Sequence, residues 1–489
     1  MRKIYSMLML ATLIGFSACQ TYLEEPQPQQ GLPLATAYQT PSDIRNALFG
    51  VYNRFQDDDL YGGNYVLYAD LMSNNIEWGG SFNAPGEIAQ LQIAANNGDI
   101  TATYNNVYIL SNNIAAILQV IDNIEGLDAA ERDRIKGELY FMRGMAYFEA
   151  IRYYGKPYSA ATSASDPGLP ISLTYVDDLS KIEKLPRQTV AQVYTQAIND
   201  LQQAETLIPT DFASNGRATH WAAKSALAEI YFQQGDYTRA ATKSNEIIAS
   251  GNFALNNTVD VFYETEFSGE SIMEVNMTVQ DNPGVNAGLT TFYANGGIGG
   301  RGDITITPDM FTNGYDQIVT TAQQTALTTA NQTVVDQRLS VLTNRTSSFV
   351  LKYTDGVNNA DNIPVYRYAE ILLMRAEALA RTAGVTAEAV NLLNEVRGRA
   401  LVVSDAGGNA VADTPVLFQT TDFANAQALI DAIVLERRVE LAYEGNRFHD
   451  LRRLGLAVKG TAATANNLVF PIPQSAIDNN SALTQNPGY

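Results

Sequence analysis

Apolar positions recur at three- and four-residue spacing along most of the chain, so helices dominate its pattern. In "SDIRNALFGVYNRF" the residues Ile44, Leu48, Val51 and Phe55 share one helical face, and Ser42 stands where an N-cap belongs. A long amphipathic run covers about 99–124. A second, "AAERDRIKGELYFMRGMAYFEAIRYYG", covers about 129–155 and stops at Gly155, ahead of Pro157. Between 155 and 186 Pro, Gly, Ser and Asp take over, which predicts a long connection. Helical patterning returns at 187–208, 217–234 and 236–250.

Two stretches read as paired helices. In "KSALAEIYFQQGDYTRAATKSNEIIAS" Leu227 and Tyr231 fall four apart, Gly235 closes the first helix, and Tyr237 and Ala240 open the next. This is the pattern of a tetratricopeptide unit, whose small alanines permit close helix packing. "RYAEILLMRAEALARTAGVTAEAVNLLNEVRGRA", residues 367–400, repeats the theme with Gly384 at the turn and Thr386 as cap. Long inserts separate the units. Residues 251–350 mix short β-prone pieces such as "SIMEVNM" with "NPGVNAG", "YANGGIGGRGD" and a Thr/Gln-rich run at 320–334, a density of turn residues that predicts irregular loops. A second polar loop, "SDAGGNAVADTP", precedes a helix beginning near Asp422. The expected fold is mostly α, with tetratricopeptide-like helices mainly in 99–250 and 364–455, short β elements, and loop-rich inserts at 56–98, 251–350 and 401–421. Loops on a rigid scaffold are the natural place for binding residues.

The amino terminus has a different logic. Arg2 and Lys3 precede a nearly continuous apolar run from Ile4 to Phe16, too short to span a bilayer comfortably, and Ser17 and Ala18 are small. The chain's single cysteine, Cys19, follows at once. A lipoprotein site requires a cysteine at the first mature position, where thiol and amine take acyl chains, so residues 1–18 are expected to be a signal peptide and Cys19 a lipidation site; Phe16 stands where leucine is more usual. Two or three acyl chains make a durable bilayer anchor. The Pro-, Gln- and Glu-rich segment after Cys19 reads as an extended tether over 19–40, leaving 41–489 as one body.

Net charge and residue types narrow the function classes. A formal charge of −20 argues against nucleic acid as a partner. Only 17% of residues are charged, so the surface is rich in amides and hydroxyls and suited to neutral polar ligands. His220 and His449 lie far apart, and neither metal-ligand spacing nor a Ser, His, Asp arrangement is present; no catalytic residue, cofactor or metal is expected. In "LERRVELAYEGNRFHDLRRLG", residues 435–455, Glu436, Glu440 and Glu444 repeat every four positions among Arg437, Arg438, Arg447, Arg452 and Arg453, with His449 beside Asp450. The interleaved arginines predict structural ion pairs, since glycosidase chemistry needs carboxyls facing each other across a cleft.

Together with "CQTYLEEPQP", "IKGELYFMRGMAYFEAIRYYGKPY", "YRYAEILLMRAEALAR", "LLNEVRGRA" and the ending "FPIPQSAIDNNSALTQNPGY", that motif resembles the SusD/RagB family of outer-membrane nutrient-binding lipoproteins, in order from Cys19 to Tyr489. The resemblance implies a right-handed tetratricopeptide-like superhelix supporting a loop-rich half, with no chemistry of its own. It implies binding of a nutrient, most often a glycan, and delivery to a TonB-dependent outer-membrane transporter of SusC type. Glu24 and Glu25 soon after the cysteine resemble the surface-export signal of Bacteroidota lipoproteins, which implies a domain facing the cell exterior. Peptide capture by the same lid mechanism, a surface hydrolase, and a purely structural adaptor are the alternatives.

Ligand candidates lie where aromatic, amide and glycine residues meet outside helical periodicity. In "ADLMSNNIEWGGSFNAPG" Trp78 has Asn74, Asn75 and Glu77 beside it. Its indole is either folded under its own loop or a platform for a sugar ring, with the amides and carboxylate as hydroxyl partners. Phe292, Tyr293 and Asn295, with Arg301 and Asp303, form the second candidate group, expected to face Trp78 across a shallow site. Trp221, at the start of a repeat helix, reads as packing. The ending "NPGY" is expected to dock along the body.

Overall fold

The computed structural model describes residues 34–178, 181–214, 216–411 and 416–489; the signal segment, Cys19 and the first part of the tether lie outside the described residues. A four-residue helix, Leu34–Ala37, already forms inside the stretch expected to be tether, and Tyr38 packs against the core.

Helices stack on one another in chain order. Ala129–Tyr154 packs on Val190–Leu207, which packs on His220–Gln233, and that on Tyr237–Ala249. Tyr237–Ala249 then meets Tyr368–Ala383 across the long insert, and Tyr368–Ala383 carries both Ala387–Ala400 and Ala426–Glu440. Small residues let the backbones approach: a Cβ on Gly144 would lie 2.9 Å from Leu201 Cγ and 3.1 Å from the Ala197 carbonyl oxygen. The capping signals hold with one shift. Thr386 accepts from the backbone of Ala389, as expected, and Asp128, which the sequence reading did not single out, caps Ala129–Tyr154 by accepting from the backbone of Ala130 and Glu131. The first helix, Pro41–Phe55, is instead capped by Thr40 in a capping box with Asp43, because Pro41 occupies the first helical position and displaces the expected cap from Ser42. Ile44, Leu48, Val51 and Phe55 form its buried face.

The inserts hold more helix than their composition suggests. Asn64–Met72, within the expected loop-rich 56–98, is buried at all nine positions. Such a helix has no polar face and therefore no amphipathic period to detect. The Thr/Gln-rich run contains the helix Thr321–Thr329, closed by a capping box between Thr320 and Gln323; Gln323 is buried and donates to the Val416 carbonyl at 2.9 Å. Short antiparallel pairs tie the inserts to one another, Ile76–Trp78 with Ile304–Ile306 and Thr333–Asp336 with Leu401–Ser404, and to the scaffold, Ser271–Val275 with Ile363–Arg367.

The 435–455 motif is the hub of a buried ion-pair network, but its glutamates do not pair with the arginines interleaved among them. Glu436 is met by Arg338 and, at 3.0 Å, by Arg397. Glu440 is met by Arg367 at 2.8 Å and by Arg399, and Glu444 by Arg367 at 2.8 Å and Lys352. Arg437 pairs with Asp450 at 3.2 Å, Arg438 with Asp309 at 2.6 Å, and Arg453 with Asp450 and Glu377, both at 2.7 Å. Glu436 and Glu440, on helix Ala426–Glu440, and Glu444, in the turn that follows it, thus reach partners on different segments, so this stretch stitches the inserts to the stack. His449 sits buried at this hub, and burial, reinforced by Arg152 and Arg452, holds it neutral. The chain's end is docked as well: Asn486 Nδ2 donates to the carbonyls of Tyr154 and Phe470, and the Tyr489 hydroxyl to that of Val469 at 2.8 Å.

Candidate functional site

The chain leaves helix Pro41–Phe55 toward three consecutive aspartates, Asp57, Asp58 and Asp59, the last two of which open one wall of a cleft of about 370 Å³. Asp58, Asp59, Asn64 and Asp99 line that wall; Phe82 and Asn83 form the second, and Asn286 and Phe292 the third. Phe82 is 44% exposed, a large ring offered to solvent at the cleft's edge. The Arg301 guanidinium lies 4.7 Å from the Phe82 ring centre and 5.1 Å from that of Phe292, fixed by Asp303 at 2.6 Å. One exposed aromatic face, that of Phe82, with the buried Phe292 behind it and an oriented guanidinium, above acidic and amide groups, suits a ligand with an apolar ring face and hydroxyl edges.

Trp78 and the 292–303 segment are brought together. Trp78 pairs with Ile304 in the antiparallel ladder, and its indole lies 6.0 Å from the Phe292 ring at 49°. It is nonetheless half-buried beneath its own loop: a Cβ on Gly80 would come within 2.5 Å of the indole, so only glycine lets the chain cross there. The indole supports Phe292 from behind, so of the two alternatives for Trp78 the one folded under its own loop holds, and Phe82 is the exposed ring.

Several other candidates turn inward. Asn75 is fully buried and accepts from Arg438 Nε at 2.9 Å. Asn74 donates to Asp309 at 2.8 Å, so both amides serve the framework arginine and its partner. Tyr293 is buried too, its hydroxyl donating to Asp70 at 2.6 Å and its ring packed on Tyr353; it presents nothing to a ligand. Glu77 is exposed, but strand alternation turns it to the face opposite Trp78. Asn295 is half-buried and accepts from the Gly297 backbone, shaping the glycine-rich turn. Phe292 lines the cleft but is buried at 4% exposure, and Arg301, held by Asp303, stacks beside it rather than lining the cleft.

Sequence reasoning missed Phe82 and the aspartates. The run "DDD" directly after an amphipathic helix was the available signal. Among the described residues Asp57, Asp58 and Asp59 are the group whose carboxylate oxygens come within 4.8 Å of one another, close enough to meet one cation. Arg54 donates to Asp57 at 2.8 Å, Asn106 to Asp57 at 3.2 Å and to Asp59 at 2.9 Å, Asn64 to Asp59 at 3.3 Å, and the Asp59 backbone to Asp57 at 3.2 Å. Burial, then Asp58, Asp57 and Asp99, push the Asp59 carboxyl up to about 7. Burial, with Asp58 and Glu87, raises Asp99 to about 6. Near neutral pH this wall can therefore both accept and donate hydrogen bonds, as polyhydroxyl ligands require.

The SusD family matches residues 312–469, and a family described as "Starch-binding associating with outer membrane" matches residues 21–232. SusD-like protein P2 of Formosa agariphila is 23% identical, covering 100% of this chain and 99% of its own. A putative sugar binding protein of Bacteroides vulgatus superposes with a TM-score of 0.73 at 26% identity, over 93% of this chain and 100% of that one. A laminarin binding SusD-like protein superposes at 0.69 with 21% identity, over 92% and 100% of the two chains. Stacked helices, ordered motifs and these matches at both ends agree, and the chain belongs to the SusD/RagB family.

Proposed function

We propose that the protein captures a glycan in the cleft beneath Phe82 and delivers it to a TonB-dependent outer-membrane transporter of SusC type. The observation that carries this is the solvent-facing ring of Phe82, clamped with Phe292 under Arg301 above a wall of carboxylates and amides. Relatives whose names refer to starch, sugar or laminarin binding support the ligand class. In this reading the stacked pairs form a tetratricopeptide-like right-handed superhelix that holds the loops still. Acyl chains on Cys19 keep the protein on the outer membrane facing the exterior, and co-tethering with the transporter raises the effective concentration of each for the other. The protein itself transforms nothing.

Calorimetric titration against neutral oligosaccharides and against short peptides tests the ligand class. Saturable binding of an oligosaccharide is expected; binding of peptides alone would replace the glycan by a peptide. The anchor is tested separately: Cys19→Ala should abolish fatty-acid labelling and release the protein from the membrane, and undiminished labelling would contradict acylation there.

A further inference from the structure

A second groove, of about 380 Å³, lies away from the first, where the loop before helix His220–Gln233 meets residues 252–253 and 267–274. Four aromatic rings line it: Phe212, Trp221, Phe253 and Phe267. The Trp221 and Phe253 rings meet edge to face at 6.5 Å, and both are only partly buried. Phe267 adopts φ 51°, a left-handed conformation unusual for a bulky residue, at a position where its backbone N–H donates to Glu274 Oε2 at 3.3 Å. Hydrogen-bonding groups alternate with the rings, Asp211 and Asn252 being exposed.

Two features select the occupant. Arg217, the cation at this groove, is already held by Glu138 at 2.8 and 2.6 Å, so it offers little to an anionic polymer. Glu274, 2% exposed, is tied within the wall: its Oε2 accepts from Asn362 at 2.9 Å and from the Phe267 backbone, and the Ser271 side chain bonds to its carboxylate. The polar contacts offered to a ligand are therefore the exposed Asp211 and Asn252, which, set among ring faces, fit a neutral ligand with hydroxyl groups on an apolar ring.

We infer that this groove is a second saccharide-binding site, which takes a neutral pyranose unit stacked on Trp221 and Phe253. It stands on its own residues and does not depend on the cleft beneath Phe82.

The chain has two tryptophans, one at each place, so emission can follow the sites separately. In Trp78→Phe the remaining indole is Trp221; in Trp221→Phe it is Trp78. Each protein is titrated with maltoheptaose, laminarihexaose, cellohexaose, mannohexaose and xylohexaose, and with the peptide Ala-Phe-Ala. We expect at least one saccharide to change Trp221 emission saturably, and the change to persist when Phe82→Ala is added, which separates it from events in the first cleft. Asp211→Ala and Phe253→Ala should each weaken the response about tenfold or more. Asp211 is exposed and its loss leaves the fold intact, so it serves if Phe253→Ala melts early. Absence of any Trp221 response to the saccharides overturns the second site, whether or not Trp78 responds. Saturation by the peptide alone, or a response untouched by both groove substitutions, overturns it equally. A response of Trp78 alone leaves the first cleft standing and removes only this inference.

Discussion

The ion-pair hub around Glu440 and the cleft around Asp59 are built from the same side chains put to opposite use. At the hub Glu440 and Glu444 meet guanidinium and ammonium groups from other segments, and the opposing charges hold both ionised despite burial. Burial pushes the Asp450 carboxyl up, but Arg437 and Arg453 outweigh it and hold it at about 2. In the cleft the carboxylates face one another and asparagine amides, so burial and like charge act together. One region resolves its electrostatics inside the fold; the other leaves them available to something outside it.

The largest effect should come from breaking the hub. Arg367 reaches Glu270, Glu440 and Glu444 while 2% exposed, and Arg367→Met removes the cation these three buried carboxylates share, leaving Arg399, Arg338 and Lys352 to hold them. A loss of about 3–5 kcal/mol is expected in denaturant melts. A loss near that of an exposed pair, under about 1 kcal/mol, would show that the hub is not what holds the inserts to the stack. Phe82→Ala should do the reverse: cost about 2 kcal/mol of ligand binding, about thirtyfold in affinity, with an unchanged melt. Tyr293→Ala, at a position the sequence offered as a ligand contact, should behave like a core truncation, lowering the melting temperature by a mechanism separate from binding.

The smallest effect separates the two regions by the sign of their pH response. Asp450, depressed in the fold, contributes stability present above its unfolded value near 4 and lost as pH falls toward about 2. Asp59, raised in the fold, contributes stability present below its unfolded value and lost as pH rises through about 7. Asp59→Asn should therefore raise the melting temperature at pH 8, with the gain shrinking as pH falls toward 4. A gain independent of pH would remove like-charge burial as its cause.

The two regions also differ in how plainly the sequence announces them. Stack and hub are written in local patterns: helical spacing in 129–155, Gly384 with Thr386, and the glutamates of 435–455. Even there the partners were misassigned, because four-residue spacing reports what shares a helix face and is silent about Arg338, Arg367 or Lys352 arriving from elsewhere. The cleft was half legible. Trp78, Phe292, Arg301 and Asp303 were picked out and do converge with one another, but Asn74, Asn75 and Tyr293 have the same residue types and turn inward to Asp309, Arg438 and Asp70. A polar residue in a glycine-rich stretch shows equally well a ligand contact and a buried tie, and only the long-range partner distinguishes them. Asn64–Met72, buried on every side, and Phe82, a lone ring in a polar loop, carry no periodic signal at all.

Capture of a glycan beneath Phe82 is tested most directly by titrating the protein and its Phe82→Ala variant in parallel with the neutral oligosaccharide that binds best, each with a thermal melt alongside. The account predicts saturable binding to the unaltered protein, weakened about thirtyfold in the variant, and coincident melts. Equal affinity in two equally stable proteins, or no saccharide binding to either, would contradict it.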